Sequence, residues 1–471
     1  VLNVFRALRE ELNTKRETSP TSIKTGSFDL SPVDSSSKEV YVTCKYSIMR
    51  SATRSGVDTI SDLPCNVLDG ILGCLPLKDA VKTSILSRDW RYKWVTRQEL
   101  EFDYQFFVTY ACNQAKAIIY QVLLRHKGPI LKFSLGSSNM TIYPDIDHWI
   151  RFLSKKNVQE FTLCGNGLHN RYHLPSHFFT FHHLRHLKVD RCSFHPPPDF
   201  KGFEKLINLD LHFVTFDPAI LRNLIFRCPL LERLTLRWCT NFDTLEIDAP
   251  NLKCFDFRGN SKSICFKNAP MLEKLIVHLN SRVSMVASPV CSNITKFFCH
   301  MPCLMQLDIS GHLLEYLTMG GLPENHLTAL NNVKSFSVRA MFFRSIKHVS
   351  GVIYLIKSFP KLQKLTIECG MKSEAVEPVV QYLQEQSSLC GAVKLLQKVH
   401  MSMFSGLEVE MEFLRLILAS APVLEEISAW NYEHLLCLSG REIKDEMKQY
   451  QRASPSVKFI VDEIVVEDAL L

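Results

Sequence analysis

One apolar skeleton, leucine-x-x-leucine-x-leucine with conservative variation, recurs along most of this chain and limits what it can fold into. Leu184-Leu187-Val189, Leu206-Leu209-Leu211 and Leu231-Leu234-Leu236 are its clearest early copies. Leu252-Phe255-Phe257, Leu272-Leu275-Val277, Leu304-Leu307-Ile309, Val333-Phe336-Val338 and Leu362-Leu365-Ile367 continue it. Leu396-Val399-Met401 and Leu424-Ile427 are poorer late copies, and Ile130-Phe133-Leu135 and Val158-Phe161-Leu163 extend the pattern upstream. The alternating residues at the end of each copy place one row of side chains on one face of a short strand. So short a strand cannot bury that face alone, so neighbouring copies must stack to build the core.

The copies lie roughly 20 to 34 residues apart, the period of leucine-rich repeats with insertions. A proline accompanies many of them: Pro229, Pro250, Pro270, Pro302, Pro360 and Pro422 each stand two residues before the first apolar position. Proline closes the preceding segment and pushes the chain toward extended backbone. The fold class expected is therefore α/β, with an irregular leucine-rich-repeat solenoid built on a curved parallel sheet.

This register also assigns the opposite face. Residues between and just after the core positions point outward, giving the triplets Asn208/Asp210/His212, Arg233/Thr235/Arg237, Cys254/Asp256/Arg258, Lys274/Ile276/His278, Gln306/Asp308/Ser310 and Ser335/Ser337/Arg339. The flanking columns are basic and the middle column carries aspartates. Concave solenoid faces are the usual binding surfaces, so Arg233, Arg237, Asp256, Arg258, Lys274, His278 and Arg339 are the candidate substrate-binding residues. The Arg237–Arg258 column would meet acidic groups on a partner.

Ahead of the repeats, Asp58 to Trp94 reads as three very short helices. Pro64 suits a first helical turn. Val67, Leu68, Ile71, Leu72 and Leu75 form one broad apolar face, Pro76 ends that helix, and the next, Lys78 to Leu86, turns Ala80, Val81 and Ile85 inward. A unit of about 40 residues cannot normally bury so much apolar surface without a partner. The run Ile60-Ser61-x-Leu63-Pro64, Ile71-Leu72-x-x-Leu75-Pro76-Leu77-Lys78-Asp79-Ala80-Val81, Thr83-Ser84-Ile85-Leu86-Ser87-Arg88-x-Trp90-Arg91-x-x-Trp94 resembles an F-box of the form found in large plant families. Asp89 departs from it, where relatives usually carry a basic residue. From about residue 391 the repeat pattern changes register. There Gly406-Leu-Glu-Val-Glu, Phe413-Leu414, Ile417-Leu418, Ala421-Pro422 and Arg452-Ala453-Ser454-Pro455 resemble the plant FBD module, which suits a cap on the last open sheet edge as well as a binding role.

Composition narrows the classes further. With 46% hydrophobic and 22% charged residues the chain is of globular type. A net charge of +7 without a run of Lys or Arg gives no reason to expect nucleic acid. No apolar run reaches the roughly 18 residues a membrane span needs, and the charged start is unlike a signal peptide. The 16 cysteines are scattered and read as buried hydrophobes in a reducing compartment, so cytoplasm or nucleus is expected. His182-His183-x-x-His186 falls in a repeat strand, and Cys299-His300-x-x-Cys303 lacks a second ligand pair; no metal, cofactor or catalytic site is expected. Phosphate loops and nucleophile elbows are absent from the sequence.

Four segments follow: a flexible N-terminal segment at 1–56, Ser/Thr-rich from 13 to 56, the F-box at 57–97, leucine-rich repeats at 98–390 and the FBD-like module at 391–471. The resemblance implies a non-enzymatic adaptor whose F-box docks on a Skp-family adaptor, and through it a cullin ubiquitin ligase, while the repeats hold a substrate protein. The alternative is a non-degradative scaffold using the same repeat surface; a small molecule acting as glue is a third option. Leu63, Pro64, Ile71, Leu72, Leu75, Pro76, Leu77 and Leu86 would supply the docking surface, and Trp90 and Trp94 would pack the third helix or reach the adaptor. Changing Leu63 and Leu72 together to Asp is expected to abolish adaptor binding in a co-purification assay.

Overall fold

The computed structural model describes residues 65–464 apart from 86–89, 138–144, 166–170, 217–219, 241–243, 281–292, 328–329, 371–376, 387–388, 390 and 433–438. The Ser/Thr-rich stretch, Leu63, Pro64 and Leu86 lie outside the described residues. The chain divides into two compact units between Leu184 and Arg185, so the helical segment shares a unit with the first repeats.

In the first unit, helix α1 (Cys65–Gly73) stops before Pro76, which stands at the N-cap of α2 (Leu77–Lys82) with φ −54°. Two 3₁₀ segments follow, Thr83–Ile85 and Trp90–Thr96. Strand β1 (Glu99–Phe102) then pairs in parallel with β2 (Lys132–Ser137), and β2 with β3 (Glu160–Gly165), aligning Leu100, Phe133 and Phe161. The connections carry α3 (Tyr104–Thr109), capped by the Asp103 carboxylate accepting from the Phe106 N–H at 2.9 Å, then α4 (Cys112–Arg125) and α5 (Asp145–Leu153). Arg97 ties the helices to the strands, donating to the Leu75 carbonyl at 2.6 Å and the Gly73 carbonyl at 3.3 Å. A basic side chain there satisfies carbonyls left unpaired at a helix C-terminus.

The second unit is a ladder of eleven parallel strands in chain order. They are β4 (His186–Asp190), β5 (Asn208–His212), β6 (Arg233–Arg237), β7 (Cys254–Gly259), β8 (Lys274–Leu279), β9 (Gln306–Ser310), β10 (Ser335–Met341), β11 (Lys364–Cys369), β12 (Lys398–Ser402), β13 (Glu426–Tyr432) and β14 (Lys458–Ile464). The register is the one the skeleton dictates: Leu209 faces Leu234, Leu234 faces Phe255, Phe255 faces Leu275, and Leu275 faces Leu307. These residues are fully buried. Helices α6 (Ile220–Phe226), α7 (Ile294–Phe298), α8 (Gly311–Thr318), α9 (Ile346–Lys357), α10 (Glu377–Glu385), α11 (Glu408–Ser420) and α12 (Gly440–Gln449) carry the chain from one strand to a later one. In two places a shorter parallel pair supplements them, Cys192–Phe194 with Thr215–Phe216 and Thr244–Asp248 with Ser263–Asn268.

Two expectations need correcting. The prolines do not launch the strands directly. Pro229, Pro250, Pro270, Pro302 and Pro360 each occupy the second position of a turn closed by a backbone hydrogen bond, as from Leu231 N–H to the Cys228 carbonyl at 3.1 Å and from Leu272 N–H to the Ala269 carbonyl at 3.2 Å. Proline's fixed φ suits that position, and the strand begins two residues after the turn ends. Nor does the pattern change register near 391. Lys364, Lys398, Glu426 and Lys458 align across β11 to β14, so the FBD-like region extends the same ladder, adding in β14 a strand that lacks the full skeleton.

That region holds a buried acid. Glu410, in the first turn of α11, is almost wholly inaccessible. Its Oε2 accepts from the N–H groups of Ser405 at 2.9 Å and Leu407 at 3.2 Å, as in one half of a capping box. Burial pushes its carboxyl up to about 7 despite those donors. Between the ordinary value of 4.5 and about 7 the folded chain therefore binds more protons than the unfolded one, so stability falls as pH rises through that window. The loss attributable to this group is roughly 2–4 kcal/mol. Urea denaturation at pH 5 and pH 8 should show that loss in the wild type and little of it in Glu410→Gln; equal pH dependence in both would contradict the assignment.

Candidate functional site

The helical segment sorts its apolar side chains into inner and outer sets. Leu68 and Leu72, four residues apart on α1, are buried, Leu72 to 2% exposure, and Leu77, Ala80, Trp90 and Trp94 are buried too. Leu72 and Leu77 thus pack the unit internally, which corrects their assignment to the docking surface, and Trp90 and Trp94 take the first of the two roles open to them, packing within the unit. Their neighbours face outward: Val67 is 41% exposed, Ile71 and Leu75 are half-buried, and Pro76 is exposed. Ile85, expected inward, is 64% exposed. It lies five residues beyond Ala80, well around a helix of 3.6 residues per turn, whereas Ser84 at four residues takes the buried place. Tyr92 is also exposed. Sequence reasoning missed Val67, Ile85 and Tyr92 because it treated the apolar face as one surface, although the 3.6-residue period already splits it. Leu75, Pro76 and Leu77 border a cleft of about 540 Å³, opposite Arg97, Glu99, Glu101, Phe106 and Tyr110.

On the repeats, the outward triplets align in three columns. Arg233 faces Cys254, Cys254 faces Lys274, and Lys274 faces Gln306; Asp256 faces Ile276 and Ile276 faces Asp308; Arg237 faces Arg258 and Arg258 faces His278. Sequence reasoning did not show how the columns use their charge. Asp256, only 4% exposed, is clamped by two arginines. Its Oδ2 accepts from Arg237 Nη2 at 2.6 Å and Nε at 3.2 Å, and its Oδ1 accepts from Arg258 Nε at 3.1 Å. Asp308 repeats the device with His278 Nε2 at 2.9 Å and Arg339 Nε at 3.6 Å, and Asp210 with His212 Nε2 at 2.7 Å and Lys188 Nζ at 3.5 Å. Burial pushes the Asp210 carboxyl up, but His212, Lys188 and Arg237 outweigh it and hold it below its ordinary value. Asp256, Ile276 and His278 are buried rather than open to solvent, because strands about 4.8 Å apart set long basic side chains beside each short one. Arg233 and Lys274 remain exposed.

Further along the same face a neutral network replaces the charges. His400 Nε2 accepts from the Trp430 indole N–H at 3.0 Å while its Nδ1 lies 2.8 Å from Ser428 Oγ. Burial, then Lys364, holds this imidazole below its ordinary pKa. Among the described residues no three His, Cys, Asp or Glu side chains gather as metal ligands do, and no helix is long and apolar enough to cross a membrane.

One element that the sequence reading did not single out lies at the strand ends. Arg191, Phe213 and Trp238 each follow the third outward residue of a strand and adopt the left-handed backbone, with φ of 54°, 50° and 58°. Their N–H groups donate to the carbonyls of His212, Arg237 and Arg258 on the next strand, at 2.9, 2.8 and 2.6 Å. The triplet register would have located them, since each is the next residue along.

Known proteins resemble the chain over most of its length. A family model described as FBD-associated F-box protein At5g56370, LRR repeats, matches residues 146–367. The Arabidopsis thaliana F-box/FBD/LRR-repeat protein At1g13570 is 32% identical over 419 residues, covering 86% of this chain and 98% of that protein. The F-box/LRR-repeat protein At5g02910 of the same plant is 27% identical over 351 residues, 68% of this chain and 74% of its own length. F-box/FBD/LRR-repeat protein At3g52680, also from Arabidopsis thaliana, is 31% identical over 236 residues, 47% of this chain and 51% of its own.

The Asp256 clamp yields a direct test. Replacing Asp256 by Ala sets two guanidinium groups side by side without their shared carboxylate. With both arginines about a third exposed, solvent screening cuts the cost to about 1–3 kcal/mol. Urea denaturation should register that loss; unchanged stability would show that the clamp contributes nothing.

Proposed function

The chain belongs to the plant F-box/FBD/LRR-repeat family, and from that premise we propose that it is a non-enzymatic adaptor that joins a Skp-family protein, and through it a cullin ubiquitin ligase, to a substrate protein. The observation that carries this reading is the outward apolar set Val67, Ile71, Pro76 and Ile85 on the helical segment. Apolar side chains grouped on so small an element are a docking surface in need of a cover. Leu63, Pro64 and Leu86 are the further docking residues that the family resemblance implies; Leu75 borders the outward set, and the buried Leu72, Leu77, Trp90 and Trp94 support it from beneath.

The outward triplets of the repeats are the substrate-holding face. Arg233 and Lys274 are its exposed cations; Arg237, Arg258, His278 and Arg339 act through their pairing with Asp256 and Asp308. The mechanism is proximity. An adaptor that holds substrate lysines near a charged conjugating enzyme raises their effective concentration without contributing chemistry of its own. The work takes place in the cytoplasm or nucleus.

The test is co-expression of the chain with a plant Skp adaptor, followed by size-exclusion chromatography. The wild type should elute as a one-to-one complex. Val67→Asp with Ile85→Asp should lose it at an unchanged melting temperature. Burial of one such side chain is worth about 1.5–3 kcal/mol, so the double change should weaken binding about a hundredfold or more. Leu72→Asp, by contrast, should cost stability itself. A wild type that ignores the adaptor, or a double variant that still co-elutes, would overturn the reading. A substrate half-life independent of the proteasome would leave a scaffold in its place.

A further inference from the structure

Bulky residues in the left-handed region are costly, by about 1–2 kcal/mol for an ordinary side chain, and glycine would avoid that cost. The fold uses glycine at the corresponding place in β7, where Gly259 follows Arg258 with φ 152°. At the two preceding corners it holds Phe213 and Trp238 instead, and these aromatics are stacked. Their ring centroids are 6.3 Å apart with planes within 16° of parallel. The Arg191 guanidinium lies over the Phe213 ring, 4.3 Å from its centroid. Strain retained at consecutive corners to build a stack points to use of that stack. Its last ring, Trp238, is 42% exposed, a large area for a side chain that gains most from burial.

Immediately beside Trp238 in sequence is Arg237, and the Trp238 backbone N–H donates to the carbonyl of Arg258. One buried carboxylate, Asp256, is shared by these two guanidinium groups, which leaves the trio with a net positive charge. Among the described residues Arg258 spends only Nε on it. Across the outward positions of β4 to β8 and the Arg191 corner, Lys188, Arg191, Arg233, Arg237, Arg258 and Lys274 face three aspartates, Asp190, Asp210 and Asp256. The surface is therefore cationic, with its arginines held in place before any partner arrives, and it carries an open aromatic shelf along one edge.

We propose that the Arg237–Asp256–Arg258 trio and the Arg191–Phe213–Trp238 stack form one composite site that binds an acidic, aromatic-bearing segment of the protein partner. The partner's carboxylates meet the arginines that Asp256 orients, and its ring covers Trp238. The site deepens the substrate-holding role proposed above and rests on it. Acidic side chains supply the charge complementarity; the ring supplies the stacking and apolar burial that an arginine cluster alone lacks.

The experiment uses the full chain in complex with its Skp adaptor and three polymers: a random copolymer of glutamate and tyrosine, polyglutamate of equal length, and a copolymer of lysine and tyrosine. Binding is read by calorimetry, and adaptor retention is read in the same samples. The glutamate–tyrosine copolymer should bind about tenfold or more tighter than polyglutamate, and the lysine copolymer should not bind. Trp238→Gly, which suits the left-handed backbone, should reduce the first polymer to the level of the second. Arg233→Glu, an exposed position outside the Asp256 clamp, should weaken both acidic polymers several-fold, as should Arg258→Glu; Arg441→Glu, the same charge change on α12, should not. Equal affinity for the two acidic polymers, or variants at Trp238 and Arg233 that bind like the wild type, would overturn the proposal. Loss of the adaptor with polymer binding intact would instead strike the ligase reading and leave this site standing.

Discussion

Everything in the repeats depends on strands that cannot bury their own inner faces. Leu234 and Leu236 are buried only because β5 and β7 lie on either side in parallel register, and the strands from β7 to β13 repeat the condition. A one-residue slip would turn the whole apolar row to the opposite face, so the register is held along the ladder. The outward columns follow from it. Asp256 stands within reach of Arg237 and Arg258 because the backbone ladder puts it there, and no long-range search for partners is needed.

This constraint gives the outward face its character. A column of acids flanked by bases would suggest open charge of both signs, yet parallel strands bring the two together and Asp210, Asp256 and Asp308 each take neighbouring bases. What stays available is the surplus: exposed Arg233 and Lys274, a net charge at the Asp256 clamp, and the side chains at the strand corners. The helical segment follows the opposite logic. Its short helices bury Leu68, Leu72, Trp90 and Trp94 and still leave Val67 and Ile85 uncovered, so it presents an apolar surface where the repeats present a polar one.

The repeat was legible because a period-2 apolar row in a stacked strand leaves a direct trace in sequence. Phe133, Phe161 and Leu275 all stand where the skeleton put them. Strand β14 was not legible, because its neighbour β13 supplies the register that its own residues fail to announce. Ile85 was misread since an apolar residue on a short helix gives no sign of which flank the core covers. Glu410 stands in the Gly406-Leu-Glu-Val-Glu motif, but nothing in that motif announces that its carboxyl is buried and its pKa raised. The pairing of Arg237 and Arg258 with one aspartate was open to inference from the columns themselves, given the strand spacing.

Hydrogen–deuterium exchange of the full chain, alone and with a plant Skp adaptor bound, tests the division of labour between the two surfaces. The account predicts slowed exchange concentrated in Cys65–Ile85, with the strands β4 to β8 unaffected. Protection spread along those strands, or none near Val67 and Ile85, would contradict it.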